Sequence, residues 1–321
     1  MTETSARLSF TAVVVIATDT GPHILTVSHS SEQRLGLPEH PFILEQHRTF
    51  EKGVRDSVAE ATNLDLGYVE QLYTFGDRER VPDNGTTSER AITVGYVALT
   101  RLPDSLEVSD HWHDWYSYFP WEDWREGRPP VIDGLIKPKL ADWVEDAENI
   151  QQRRVREQRV LLCFGASENE TDQQWNNERV LERYELLYSA NMLPESRINK
   201  GLPTHDLPAA LGRSMILDHR RILATAMSRI RGKIKYRPVI FELVPKHFTL
   251  FYLQRVVESL TGNLLHKQNF RRLVETQGLV DRTRTFETNK RGRPAELFQF
   301  RSTVELERPA PGVRSGYRTQ L

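Results

Sequence analysis

Apolar residues in the first hundred positions follow a pattern that predicts several strands and one helix. Residues 8–17 (LSFTAVVVIA) are mostly apolar and β-branched, which is typical of a buried strand, and a polar turn leads into a returning strand at 23–28. Phe50–Thr62 places its apolar residues at helical spacing and predicts an amphipathic helix. Two further strands are predicted at 68–75 and 91–99.

The middle of the chain carries both short and long apolar patterns. Short apolar runs near 115–119 and 160–163 indicate two more strands. Longer periodic stretches predict helices at 175–190 and 211–235, and the second of these has a continuous apolar stripe. The N-terminal two thirds are therefore predicted to form a mixed α/β unit.

After residue 238 the pattern becomes helical and ends in a hairpin. Thr249 is a favourable N-cap and Gly262 a favourable stop for a first short helix. The predicted elements are, in order, helices over 250–260 and 267–276 and strands over 279–282 and 296–301. A helix, a turn, a second helix and a hairpin with a basic tip is the order of a winged helix-turn-helix.

Length and composition narrow the class of protein. The chain has 321 residues, which is more than one average domain, and its net charge is −1. No stretch approaches the roughly 20 apolar residues of a membrane helix, and the N-terminus lacks the pattern of a signal peptide. The single cysteine, Cys163, excludes an intramolecular disulfide and a cysteine-based zinc site. We expect a cytoplasmic protein that does not contact membranes.

Charge is distributed unevenly along the chain. Between His219 and Arg301 there are eighteen Lys and Arg against six Asp and Glu, so the rest of the chain carries a net charge of −13. Such asymmetry suggests that the basic part contacts nucleic acid. The alternative is a solvated basic surface without a partner.

The second helix of the C-terminal pattern carries side chains suited to reading base edges. A recognition helix points its first residues into the major groove, where Arg, Gln and Asn make paired contacts with bases. Basic side chains on the hairpin suit contacts with phosphates or with the minor groove. The predicted DNA-binding residues are Lys267, Gln268, Asn269, Arg271 and Arg272 on the helix, and Arg284, Lys290, Arg291 and Arg293 on the hairpin. The alternative is a helical interaction module with a basic surface.

The N-terminal part resembles the Nudix hydrolase fold. The run YVEQLYTFGDRER (68–80), followed by AITVGYVAL (91–99), is similar to the segment after the Nudix helix of ADP-ribose-type Nudix proteins. In those enzymes glutamates of the Nudix box hold Mg²⁺ against a pyrophosphate. Aligned on residues 62–64, only Val58, Glu60 and Leu64 match, which is three of nine fixed positions. Glu60, with Asp56 four residues before it, supplies too few carboxylates for the metal cluster, so we predict no catalytic and no metal-binding residues.

The two parts together resemble the Nudix-related transcriptional regulators of NAD metabolism, the NrtR and NadQ type. The matching motifs are, in chain order, HRT (47–49), TFGD (74–77), DHRRIL (218–223), RIRGK (229–233), PVIFEL (238–243), NFRR (269–272) and GRPA (292–295). The resemblance implies an N-terminal Nudix-like α/β/α sandwich over 6–235, with an extra segment at about 150–210, and a winged helix-turn-helix over 236–303. Residues 304–321 are expected to be a disordered tail.

The resemblance also implies a function. It implies a homodimeric repressor of NAD biosynthesis or salvage genes that binds a double-stranded DNA operator. Its effector would be an adenine nucleotide (NAD, ADP-ribose or ATP), and no cofactor is required for catalysis. In a sensor derived from a pyrophosphatase, the ligand phosphates are expected near the former catalytic helix. The predicted ligand-binding residues are Arg48, Lys52, Arg55, Phe75, Asp77, Arg78 and Arg80.

Several alternatives stay open at this stage. An aromatic segment, WHDWYSYFPWEDW (112–124), offers rings that stack on a base or that simply belong to the core. The main alternative function is a Nudix-type nucleotide pyrophosphatase with a basic accessory domain, against which the degenerate box argues. An RNA-associated Nudix protein is less favoured, because no strand shows the aromatic pattern of an RNA-binding sheet.

Overall fold

A computed structural model gives the fold of most of the chain. It describes residues 6–28, 34–62, 64, 66–77, 90–101, 111–165, 175–235, 238–287 and 294–301. Among these residues, no helix combines the length and apolar character needed to cross a bilayer.

A mixed sheet is built around the long first strand. Strand β1 (Ala6–Ala17) pairs in parallel with β7 (Arg90–Leu99) and antiparallel with β2 (Pro22–Leu25). The outer strands are β6 (Val69–Phe75), next to β7, and β8 (Trp112–Asp114), next to β2. The remaining strands are β5 (Glu39–Pro41), which pairs with β1, and the small pair β3 (Val27–Ser28) and β4 (Leu35–Gly36).

Helices cover both faces of this sheet. Because successive side chains of a strand point to opposite faces, Phe10 and Val14 of β1 pack under helix α1 (Phe50–Thr62), while Val13 and Val15 belong to the larger core on the other side. The larger core includes helix α6 (His219–Ile234). The expected α/β/α sandwich is therefore present, and the predicted helix at 50–62 is confirmed.

Between β8 and α6 the chain forms a helical insertion. After β8 come short 3₁₀-helices and a π-helical turn. The longer helices are α2 (Lys137–Glu145), α3 (Ile150–Phe164), α4 (Val180–Ser189) and α5 (Pro194–Asn199).

Two predicted strands in this insertion were wrong. The chain near 115–119 forms a 3₁₀-helix, because the Asp114 carboxylate accepts a hydrogen bond from the Tyr116 backbone NH at 2.9 Å and starts a turn. The run at 160–163 is the last turn of α3, which Asn149 caps at its N-terminus. A short apolar run does not distinguish a strand from a buried helix turn.

Two predicted helices begin later than expected. The helix expected at 175–190 spans only Val180–Ser189, and the one expected at 211–235 spans only His219–Ile234. Gly212 explains the second difference, because it has a φ of +80°, which is incompatible with a continuous helix. A Cβ atom there would lie 2.7 Å from the Tyr118 carbonyl oxygen, so the chain packs closely at this point.

The predicted C-terminal elements are confirmed in their order, and both helices in their bounds to within one residue, whereas the first strand, predicted at 279–282, extends to Glu287. Its elements are α7 (Leu250–Thr261), α8 (Lys267–Thr276), β9 (Val280–Glu287) and β10 (Ala295–Phe300). The Thr249 hydroxyl accepts a hydrogen bond from the Tyr252 NH at 3.1 Å, and Gly262 ends α7 in the left-handed conformation. The predicted domain boundary at 235/236 adjoins residues 236 and 237, and the predicted tail covers 304–321; these residues lie outside the described part.

Candidate DNA interface and nucleotide site

Helix α8 presents one apolar face to the core and one polar face to solvent. Phe270 and Val274 are buried among side chains of the core. The residues on the opposite side are exposed: Lys267, Gln268, Asn269, Arg271 and Arg272. None of them forms an ion pair or a side-chain hydrogen bond with another residue that the structure describes. Their charges and amides are therefore available for a ligand outside the chain.

Buried polar side chains fix the turn that leads into α8. The Glu258 carboxylate accepts hydrogen bonds from the Leu265 NH at 2.9 Å and from the Gln254 amide at 2.8 Å. The same Gln254 amide donates to the Leu265 carbonyl oxygen at 2.8 Å. Because the donors and acceptor are largely buried, these bonds hold the start of α8 in one orientation relative to α7.

The hairpin is anchored to α8 by charge. Arg282 of β9 pairs with Glu275 of α8 at 3.0 Å and with Glu296 of β10 at 2.8 Å. At the base of the hairpin, the backbones of Phe248 and Phe298 exchange two hydrogen bonds of 3.0 and 2.8 Å. The helix and the hairpin therefore form one surface.

A β-bulge presents Arg284 to solvent. The register between β9 and β10 shifts at this point, so that three residues of β9 (283–285) lie opposite one residue of β10 (297). Thr283 donates to the Leu297 carbonyl oxygen at 2.8 Å, and Arg284 has a φ of 60°, an unfavourable region for a residue with a Cβ atom. Strain of this kind is concentrated at functional positions. The other predicted hairpin contacts, Lys290, Arg291 and Arg293, lie outside the described residues.

The three side chains near helix α1 that are predicted to bind the phosphates of the nucleotide lie in different surroundings. Lys52 pairs with Asp56 at 2.7 Å, so its charge is compensated within the helix. Arg55 pairs with Glu51 at 3.0 Å and donates to the Leu66 carbonyl oxygen at 2.6 Å, which attaches the following loop to the helix. Arg48 is exposed and has no ion pair with a described residue. Of the three, Arg48 is the most available to an anion, and the role of each stays a prediction.

The part of α1 that was aligned with the Nudix box places few carboxylates together. Ser57, at one of the glutamate positions of the box, is buried, and Glu60 is exposed. Asp56 is engaged by Lys52. Among the described residues, no group of three or more His, Cys, Asp or Glu side chains lies together in a way that could hold a metal ion.

The predicted ligand residues after β6 are also divided. Phe75 is 6 % exposed and packs against Gly95, where a Cβ atom would lie 2.7 Å from its ring. This packing favours a core role over base stacking. Asp77 forms an ion pair with Arg221 of α6, while Arg78 and Arg80 lie outside the described residues.

The aromatic segment at 112–124 belongs mainly to the core. Trp115, Tyr118, Phe119 and Trp121 are fully buried. Of the two alternatives left open by the sequence, the structure therefore favours packing for these four rings.

Helix α6 corrects the interpretation of the basic part of the chain. All five of its Arg and Lys side chains, and that of Lys235 just after it, pair with carboxylates from elsewhere in the chain: Arg220 with Glu195, Arg221 with Asp77 and Glu185, Arg229 and Lys233 with Glu70, Arg231 with Glu122, and Lys235 with Glu178. The positive charges of these side chains are therefore compensated by carboxylates of the same chain. Among the described basic residues of 219–301, those without a carboxylate partner, such as Arg271 and Arg272, lie in the winged helix.

Sequence reasoning missed a buried ionic network in the insertion. Glu122 is fully buried and bridges two fully buried arginines, Arg183 at 2.5 Å and Arg231 at 2.6 Å. A signal was present in the sequence, because Arg231 follows Met227 by four residues and so lies on the apolar stripe of α6. An arginine on such a stripe needs a buried partner, which the local sequence does not reveal.

Comparison with known proteins supports the two-part architecture. Residues 240–300 match the family model of the NrtR DNA-binding winged helix domain. The ADPR responsive transcriptional repressor NtrR of Acinetobacter baylyi is 34% identical over 94 residues, which cover 29% of this chain and 37% of that protein. The match thus spans little more than a third of the length of that curated relative.

Solved structures share the fold over almost the whole chain. The crystal structure of Shewanella oneidensis NrtR complexed with a 27mer DNA has a TM-score of 0.52 and 21% identity, covering 96% of this chain and 98% of that one. A MutT/nudix family protein from Enterococcus faecalis has a TM-score of 0.51 and 15% identity, covering 94% and 90%. The resemblance to NrtR-type regulators is confirmed, as is the fold, a Nudix-like α/β/α domain followed by a winged helix.

Proposed function

We propose that this protein is a nucleotide-responsive DNA-binding repressor of NAD biosynthesis or salvage genes. The observation that carries the proposal is the exposed face of α8, within the NrtR-type winged helix domain at 240–300. Its basic and amide side chains have no ion-pair partner among the described residues. The family of the domain supports an operator as their ligand.

In this proposal α8 enters the major groove and the hairpin contacts the backbone. Arg271 and Arg272 would hydrogen-bond base edges, as would Gln268 and Asn269, and Lys267 would contact a phosphate. Arg284, held outward by its bulge, would add a phosphate or minor-groove contact. Two copies of the chain would bind successive half-sites of a pseudo-palindromic operator as a homodimer.

We further propose that the Nudix-like domain is a receptor for an adenine nucleotide rather than a hydrolase. The relative from Acinetobacter baylyi is ADPR responsive, which favours ADP-ribose over NAD and ATP. The Nudix box matches only three of nine fixed positions, and Lys52 engages Asp56, the carboxylate four residues before Glu60. Arg48 is an exposed candidate for the ligand phosphates and has no ion pair with a described residue.

The proposed organisation follows the sequence boundaries. Residues 6–235 would form the sensing domain and 236–303 the DNA-binding domain, in a protein that acts in the cytoplasm.

Fluorescence polarisation on labelled DNA tests the proposal. Duplexes from upstream of NAD biosynthesis genes are titrated with the full chain beside a scrambled duplex, without nucleotide and with ADP-ribose, NAD or ATP. We expect specific binding that changes with one intact nucleotide. Equal affinity for the scrambled duplex, together with cleavage of a nucleotide, would instead favour the pyrophosphatase with a basic accessory domain.

A further inference from the structure

The C-terminal end of helix α7 is capped by the N-terminal domain. An α-helix leaves its last four carbonyl groups without partners inside the helix. In this chain the last three of these carbonyl oxygens, and that of Gly262 directly after the helix, accept hydrogen bonds from the N-terminal domain. The pairs are Ser259 with the Tyr116 hydroxyl at 2.6 Å, Leu260 with Arg231 Nε at 3.0 Å, Thr261 with the Asn177 amide at 3.5 Å and Gly262 with the Trp124 NH at 2.7 Å.

The two parts approach each other as closely as backbone allows. Gly262 has a φ of +74°, and a Cβ atom there would lie 2.3 Å from the Glu122 carbonyl oxygen and 3.0 Å from the Tyr116 hydroxyl. Any other residue would push α7 away from the N-terminal domain. The end of α7 is therefore positioned by direct contact rather than through a flexible connection.

Buried charge makes this contact rigid. Arg231 donates to α7 with Nε and pairs with Glu122 through Nη1 at 2.6 Å, and both side chains are fully buried. The positive group also lies at the negative end of the α7 dipole, which is favourable. Burial raises the pKa of Tyr116 to about 12, so its hydroxyl keeps the proton that it donates to Ser259.

The same network extends toward the predicted nucleotide site. Glu122 also pairs with Arg183 of α4, and two residues further along α4, Glu185 pairs with Arg221 of α6. Arg221 in turn pairs with Asp77, directly after β6, where ligand contacts are predicted. Two sets of ion pairs, connected through the backbone of α4 between Arg183 and Glu185, thus lie between the end of β6 and the end of α7.

We propose that the last turn of α7 is the contact through which the Nudix-like domain controls the winged helix, with Tyr116 and Arg231 as positioning residues. The proposal rests on the proposed function and specifies its regulation. A nucleotide changes DNA affinity only if it binds the DNA-competent and released arrangements with different affinity. A shift of the Tyr116 and Arg231 donors would move α7, and the buried turn held by Glu258 would carry α8 with it.

A matched pair of tyrosine variants tests this proposal in the full chain. Tyr116→Phe removes the hydroxyl that caps α7. Tyr118→Phe is the control, because Tyr118 is equally a buried tyrosine of the same segment, but its hydroxyl has no hydrogen-bond partner among the described residues. Arg231→Lys is a second variant that keeps the buried charge and loses the Nε donor. Thermal melting establishes that each variant is folded.

The first readout is the ratio of operator affinities without and with ADP-ribose. We expect Tyr116→Phe to reduce this ratio by about 3- to 10-fold, the range for one lost hydrogen bond, with nucleotide affinity near that of the wild type. Tyr118→Phe should keep the wild-type ratio. The second readout needs no DNA: ADP-ribose should change amide hydrogen exchange over 250–262 in the wild type and in Tyr118→Phe, and less in Tyr116→Phe and Arg231→Lys.

The outcomes separate this proposal from the proposed function. If the wild type responds to ADP-ribose and Tyr116→Phe responds as Tyr118→Phe does, the α7 contact is overturned while the sensor function stands. If the wild type responds to none of ADP-ribose, NAD and ATP in either readout, the sensor function and the α7 contact fail together.

Discussion

Helices α6 and α8 are both rich in arginine, yet the structure uses the two sets of charges in opposite ways. On α6, Arg220 and Arg231 are fully buried and paired with carboxylates. On α8, Arg271 and Arg272 are exposed and have no ion-pair partner among the described residues. Positive charge in the sequence is therefore not by itself evidence of a DNA-binding surface.

The difference is one of solvation. Removing an arginine from water costs several kcal/mol, so a buried one exists only with a carboxylate beside it. An exposed arginine keeps its hydration and gains little from a neighbouring charge, so nothing in the fold requires it to be paired. Variants of the buried set should therefore alter stability, and variants of the exposed set should alter DNA binding.

The largest effect is expected from removing the carboxylate that two buried arginines share. Glu122→Ala leaves Arg183 and Arg231 buried without it, so we expect a loss of about 3–5 kcal/mol in the free energy of unfolding. Urea denaturation followed by circular dichroism measures it. A loss below about 1 kcal/mol would mean that the buried set behaves as exposed charges do.

Variants of the exposed set should leave stability unchanged. Arg271→Ala and Arg272→Ala are each expected to weaken operator binding by about 5- to 150-fold, because each removes a base or phosphate contact. The control is Arg154→Ala, which removes the same charge from an exposed position on α3. Polarisation titrations, with melting temperatures for each variant, make the comparison. Wild-type affinity in both α8 variants would remove α8 from the DNA interface.

Arg284 allows a test in which stability and binding change in opposite directions. Its φ of 60° is strained for any residue except glycine, so Arg284→Gly should be more stable than Arg284→Ala by about 1 kcal/mol. Both variants should weaken operator binding equally and lower the slope of affinity against salt by about one. Equal stability of the two variants would argue that the bulge stores no strain.

The smallest effect concerns pH. Burial lowers the pKa of His40 from its ordinary value, although Glu60 and Glu39 raise it in part and His47 lowers it further. Because the folded pKa lies below the unfolded one, the stabilisation is present above about pH 6.5 and is lost as the pH falls through the folded pKa. The free energy of unfolding should therefore fall more between pH 7.5 and pH 5.5 in the wild type than in His40→Gln. If the wild type and His40→Gln showed the same dependence of stability on pH, this would contradict the assignment of the effect to His40.

How much the sequence predicted depended on how local each signal was. The caps at Thr249 and Gly262 act within one turn, and the helices and hairpin of the winged helix were found in the right order. The run at 160–163 was assigned to a strand, because only its connection to the longer helix from Ile150 reveals what it is. The ligand site is the least determined part, since the predicted Arg78 and Arg80 lie outside the described residues and Phe75 packs in the core.

The sequence by itself determined the two-part architecture and the polar face of α8, because apolar periodicity, caps and turn residues act between neighbours in the chain. Only the tertiary structure decided which arginines serve the core. Arg231 meets its carboxylate 109 residues away, at Glu122, and caps a carbonyl of α7 that lies 29 residues further along. Burial and pairing at such separations depend on how the helices and sheet pack, and no local pattern records them.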